Sequence, residues 1–177
     1  MSSYKALLSI FSPDRVGLIS AVSGHLFDRG INLGDTSFAI LGKGGEFTSI
    51  LEIPDDLDGA DLTRELQSLD GLFDADIDLR RLSLGDVETP PNRITHHIRC
   101  DGADQPGLLA RLSEVFIDFD ANIVRLKSDQ VATPEGLRFS TLFSVNIPPA
   151  RAVSCLAALD NTAAALGQVL TFQTAAL

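Results

Sequence analysis

Asp14-Arg15-Val16-Gly17-Leu18-Ile19 returns ninety residues later as Asp104-Gln105-Pro106-Gly107-Leu108-Leu109. The same spacing joins Ser23 to Ser113, Asp28 to Asp118 and Asn32 to Asn122. Farther on, Phe47-Thr48-Ser49-Ile50 matches Phe139-Ser140-Thr141-Leu142 at a spacing of ninety-two, which places two added residues in the second copy's turn, around 132–136. Two collinear blocks with one small insertion read as a duplication. The 177 residues are therefore expected to form two small domains, 1–84 and 93–177. Between them lies Gly85-Asp86-Val87-Glu88-Thr89-Pro90-Pro91-Asn92, whose glycine, charges and proline pair predict an extended linker over 85–92.

Around the first block the hydrophobic period changes. Ala6, Leu8 and Ile10 alternate, predicting a strand over 4–11. Leu18, Ile19, Val22, Leu26 and Phe27 fall on one helical stripe, predicting a helix over 16–29 that ends at Gly30 in a left-handed cap. Strands are then expected over 32–41 and 46–53, joined at Gly42-Lys43-Gly44-Gly45 as a hairpin. Leu62, Leu66 and Leu69 mark a second helix, and 74–84 a last strand with Ala75, Ile77 and Leu79 at strand spacing. The second copy repeats the order. Strands are expected at 94–100, 122–130, 137–147 and 168–174. Leu108, Leu109, Leu112, Phe116 and Phe119 stripe its first helix, and 150–162 forms its second.

This is the βαββαβ order of the ferredoxin-like arrangement. The fold class is α+β: two such domains in tandem, each a four-stranded antiparallel sheet with both helices on one face. The other face and the sheet edges lack cover, so pairing is expected, between the copies, with a second chain, or both; a homodimer is the simplest form.

Charge narrows the partners. Twenty-four acidic residues against fourteen basic ones give a net charge of −10, which repels phosphate backbones and anionic membranes. No direct nucleic-acid or membrane partner is expected. The opening residues lack the apolar core of a signal peptide, no apolar run reaches bilayer-spanning length, and Cys100 and Cys155 follow no disulfide or metal spacing. A reducing cytoplasm is the expected address.

The loop before the first helix carries the chemistry. It reads Asp-x-x-Gly-Leu in both copies. A helix N-terminus offers unpaired N–H groups and partial positive charge, suited to a carboxylate or phosphate. Gly17 and Gly107 remove a Cβ that would obstruct a ligand. Asp14 and Asp104 suit an ammonium, and Asn32 and Asn122 offer both donor and acceptor. Together these match the two ends of a free amino acid. A plainer reading stands beside it: the aspartates cap helices, the glycines allow close packing, and the asparagines turn the chain.

Other motifs carry less. His96 and His97 are strand neighbours on opposite faces, and His25 has no ligand spacing, so no metal is expected. No nucleophile elbow, zinc-protease helix or phosphate-binding loop occurs, so neither a cofactor nor a catalytic residue is assigned. Arg80-Arg81 reads as a solvated strand end, and residues 163–165 as helix filler.

On these residues, with Gly30-Ile31-Asn32-Leu33 and Ala121-Asn122-Ile123 following the helices, the chain resembles a tandem of ACT domains, regulatory modules that often bind amino acids. A proline precedes the loop glycine in the second copy, at Pro106, where the first copy has Val16. With two such domains it looks most like the transcriptional repressor group of glycine cleavage systems. The resemblance implies ligand contacts at Asp14, Val16, Gly17, Leu18 and Asn32, and at Asp104, Pro106, Gly107, Leu108 and Asn122. Serine-binding members have an amide at the loop position, which is Asp14 or Asp104 here. They also have a histidine two residues earlier, where Ser12 and Gly102 stand. An amino-acid ligand is thus implied, and serine is not. The function so implied is regulatory and non-catalytic, modulating transcription through a partner regulator. The alternative is a regulatory subunit or accessory protein of an amino-acid-metabolising enzyme.

Overall fold

The computed structural model describes residues 2–83, 92–134 and 136–175. The chain divides into two compact units, Met1–Val87 and Glu88–Leu177. Residues 85–91 of the expected linker lie outside the described residues, as does Leu84 of the last strand expected in the first copy.

The first unit runs β1 (Ser3–Pro13), α1 (Leu18–Asp28), β2 (Asn32–Leu41), β3 (Gly44–Pro54), α2 (Gly59–Gln67) and β4 (Asp76–Arg81). Its sheet has the order β2-β3-β1-β4, with every pairing antiparallel. Ala6, Leu8 and Ile10 alternate inward on β1 and meet Leu18, Val22 and Leu26 of α1 and Leu62 and Leu66 of α2 in one core. One sheet face is therefore covered by both helices, as the alternation requires. The α1 stripe is narrower than its sequence implies: Ile19 and Phe27 are exposed. Leu69 lies beyond α2, partly buried against the core, and Ala75 precedes β4.

The second unit runs β5 (His96–Ala103), α3 (Leu108–Asp118), β6 (Asn122–Thr133), β7 (Gly136–Asn146), a 3-10 turn (Pro149–Arg151), α4 (Ala152–Ala165) and β8 (Gln168–Thr174). The sheet order is β6-β7-β5-β8, the same topology. Its core joins Ile98 and Cys100 to Leu112, Val115 and Phe116 of α3 and Cys155 and Leu159 of α4. The Phe116 and Phe143 rings meet at 5.3 Å, tilted by 55°. A tilted pair of this kind adds to what the buried area alone supplies.

The hairpins differ in a way the sequence match misplaced. Asn32 stands opposite Glu52, twenty residues on, whereas Asn122 stands opposite Asn146, twenty-four residues on, and β6 has twelve residues against ten in β2. Four residues are added, not two: the Val131–Arg138 pair answers to Leu41–Gly44, and Ala132 opposite Leu137 and Thr133 opposite Gly136 extend the ladder beyond it, so Phe139 answers to Gly45 and not to Phe47. Each hairpin also carries an irregularity in register near its start, between Leu33 and Thr36 and between Ile123 and Arg125.

Candidate functional site

Each loop after the first strand of a unit ends in a glycine with left-handed backbone, Gly17 at φ 95° and Gly107 at φ 83°. These glycines, and not the aspartates, occupy the N-cap positions, and neither helix has a side-chain cap. The capping role open to Asp14 and Asp104 is thereby excluded, because three residues of loop separate each from its helix. Apart from their chain neighbours, no atom of the described residues stands within 4 Å of a Cβ built on Gly17 or Gly107. The requirement for glycine is therefore one of backbone conformation, not of space taken by the protein. Leu18 and Leu108 open the helices and point into the cores, so only their backbone faces the loop. Val16 is fully exposed.

Both loops are pinned from the same direction by different chemistry. Arg15 Nη2 donates to both carboxylate oxygens of Asp74, in the turn before β4. Its guanidinium also lies over the exposed Phe73 ring, 5.2 Å from the centroid. Gln105, the counterpart of Arg15, donates from Nε2 to the Leu166 carbonyl, in the turn before β8. Neither partner has a local sequence signal.

The asparagines are elsewhere. Asn32 pairs across the ladder with Glu52, and Glu52 with Lys5, whereas Asp14 follows the far end of β1. The nine residues from Lys5 to Asp14 span about 30 Å of strand. Asn32 lines a cleft of about 290 Å³ with Lys5, Gly34, Asp35, Ile50 and Glu52. Asn122 is likewise remote: its neighbour Ile123 is level with Val145 and His96, eight residues before Asp104, or about 26 Å. Within one unit the structure does not bring the loop and its asparagine together.

The loop carboxylates also differ. Asp14 is exposed and receives no side-chain hydrogen bond among the described residues, though its backbone N–H donates to the Lys43 carbonyl at 3.1 Å. Asp104 accepts a 2.6 Å hydrogen bond from Gln130 Nε2.

Burial pushes the Cys100 and Cys155 thiols up to about 11, helped at Cys100 by the Asp101 carboxylate, so both stay protonated at neutral pH. His97 is bonded to Ser144, and His96 to Thr95. Among the described residues no three potential metal ligands gather, and no helix is long and apolar enough to cross a membrane.

No model of a known protein family matches the chain. The glycine cleavage system transcriptional repressor of Escherichia coli is 27% identical over 128 residues, covering 72% of this chain and 65% of the relative's length. The chain thus matches just under two thirds of that relative. A solved structure of an unknown protein from Galdieria sulphuraria superposes with a TM-score of 0.74 at 21% identity, covering 99% of this chain and 100% of that one. Another, provisionally described as a glycine cleavage system transcriptional repressor, gives 0.66 at 16% identity over the full length of both chains. The chain is a tandem of two ferredoxin-like units and resembles the glycine cleavage system transcriptional repressor.

Proposed function

We propose that this protein is a non-catalytic, amino-acid-responsive regulator that acts on transcription through a partner protein, and that its ligand site is completed by a second copy of the chain. The observation that carries the site reading is the placement of Asp14 and Asn32 at opposite ends of one sheet. β2 is an edge strand. Antiparallel pairing of β2 with the β2 of a second chain sets each Asn32 level with the other chain's Leu41 end. That end carries the Asp14 loop, held there by its bond to Lys43. Two-fold pairing thus supplies what one unit lacks: a carboxylate for the ligand's ammonium from one chain and an amide from the other. Phe38, Ile40 and Leu41 are exposed along this edge, and pairing would cover them.

The regulatory role is supported by the similarity to the glycine cleavage repressor. A net charge of −10 supports action through a partner over contact with DNA. A ligand that binds only the paired state shifts the equilibrium toward it.

The test is a thermal-shift screen of the purified chain against the twenty amino acids, with sedimentation velocity in parallel. A ligand at a hundred times its Kd adds about 2.7 kcal/mol, a shift of several degrees. A single hit that is lost in Asn32→Ala and accompanies dimer formation is the expected result. No shift with any amino acid rejects the sensor. For the partner, affinity capture is expected to return a transcription factor; recovery of an amino-acid-metabolising enzyme would favour a regulatory subunit instead.

A further inference from the structure

The duplication invites the view that both loops bind alike, and the hairpins argue otherwise. In the second unit the Asp104 N–H donates to the Leu137 carbonyl at 3.4 Å. Two residues along β7, Phe139 stands opposite Gln130, whose amide reaches Asp104. In the first unit the Asp14 N–H donates to the Lys43 carbonyl. Two residues along β3, Gly45 stands opposite Ile40. Ile40 therefore holds the position from which Gln130 reaches the loop carboxylate, and it has no donor to offer. A Cβ on Gly45 would meet the Phe38 ring at 3.1 Å and Leu18 at 3.4 Å, so Phe38 closes over this row beside the helix start. Ile40 is 46% exposed and Phe38 37%.

We propose that the two loops are differently selective, with Ile40 and Gln130 as the determining residues: the first loop takes an amino acid with an apolar side chain, and the second is occupied by its own amide. The inference rests on the reading that the loop carboxylates receive a ligand's ammonium. At Asp14 that ammonium meets a carboxylate with no side-chain partner among the described residues, beside the exposed apolar side chains of Ile40 and Phe38. At Asp104 it must first displace Gln130. The loss of one exposed hydrogen bond weakens binding there by roughly three- to ten-fold.

The test follows the Gly17 and Gly107 amide resonances of the full-length, ¹⁵N-labelled chain during titration with each of the twenty amino acids. An apolar amino acid is expected to move Gly17 at roughly three- to ten-fold lower concentration than Gly107. Ile40→Gln should close that gap, and Gln130→Ile should sharpen the second loop's response; the spectra themselves report whether each variant is folded. Gly107 responding first or together with Gly17, or a gap that neither substitution changes, overturns the selectivity while leaving amino-acid sensing intact. Silence of both glycines toward every amino acid rejects the sensing reading and the selectivity with it.

Discussion

The Arg15 guanidinium closes on both carboxylate oxygens of Asp74, at 2.7 Å each, and so ties the loop that precedes α1 to the turn that precedes β4. The two side chains are 30% and 38% exposed, so solvent screens much of their attraction. A double-mutant cycle on Arg15→Ala and Asp74→Ala is expected to give a coupling of about 0.5–1 kcal/mol, falling in molar salt. Urea denaturation at two ionic strengths measures both effects. A coupling indistinguishable from zero at low salt would remove the pin.

Gly17→Ala and Gly102→Ala test two different uses of glycine. The first meets no atom but must hold φ at 95°, and should cost about 1–2 kcal/mol by conformation alone. The second has ordinary backbone, yet its Cβ would collide with the Gln168 amide at 2.2–2.4 Å. Gln168 is buried and bonded to the Ala103 carbonyl, so it yields reluctantly, and a cost of about 1–3 kcal/mol is expected. Adding Gln168→Ala should recover much of the Gly102→Ala cost and none of the Gly17→Ala cost, as read by urea midpoints.

Phe116→Ala removes a ring that is 1% exposed and packed on Phe143. A loss of about 3–5 kcal/mol is expected from the cavity and the missing ring contact. Phe27→Ala, at 79% exposure on α1, should change stability by less than about 0.5 kcal/mol. Thermal melts of the two variants check the contrast.

Burial lowers the pKa of His96 below its ordinary value. The folded chain therefore takes up this proton less readily than the unfolded chain. Its contribution is fully present above the unfolded value, near pH 6.5, and is lost as the pH falls through the window below it. His96→Gln should flatten the fall in melting temperature between pH 7 and 5 relative to the parent chain. Identical slopes would remove His96 as a contributor.

Much of the fold is legible in the sequence because its signals are local. Alternation and stripes place strands at Asn32–Leu41 and Gln168–Thr174, where the structure has them. What needs distant partners is not legible. Asp14 is a plausible cap by residue type, yet the chain takes three more residues before the helix begins, and a left-handed glycine starts it. Spacing along the chain also suggests that Asn32 lies near Asp14, since a strand after a helix returns to the sheet. Only the strand order shows that it returns at the opposite end. Asp74 and Leu166, which pin the loops, lie 59 and 61 residues from their partners and carry no motif.

The longer β6 bears on how the two halves of this chain have been free to drift apart. Residues added at the tip of a hairpin pair with one another, so the register of its base, and with it the choice of inward and outward side chains, is untouched. Four residues, two on each strand, are added in this way, and β6 still lays Leu126 opposite Phe143 and Ser128 opposite the buried Thr141. The hairpin can therefore gain length in matched pairs, one residue on each strand, while its base stays in register. Each added pair is invisible to the core and alters what stands beside the loop at its tip.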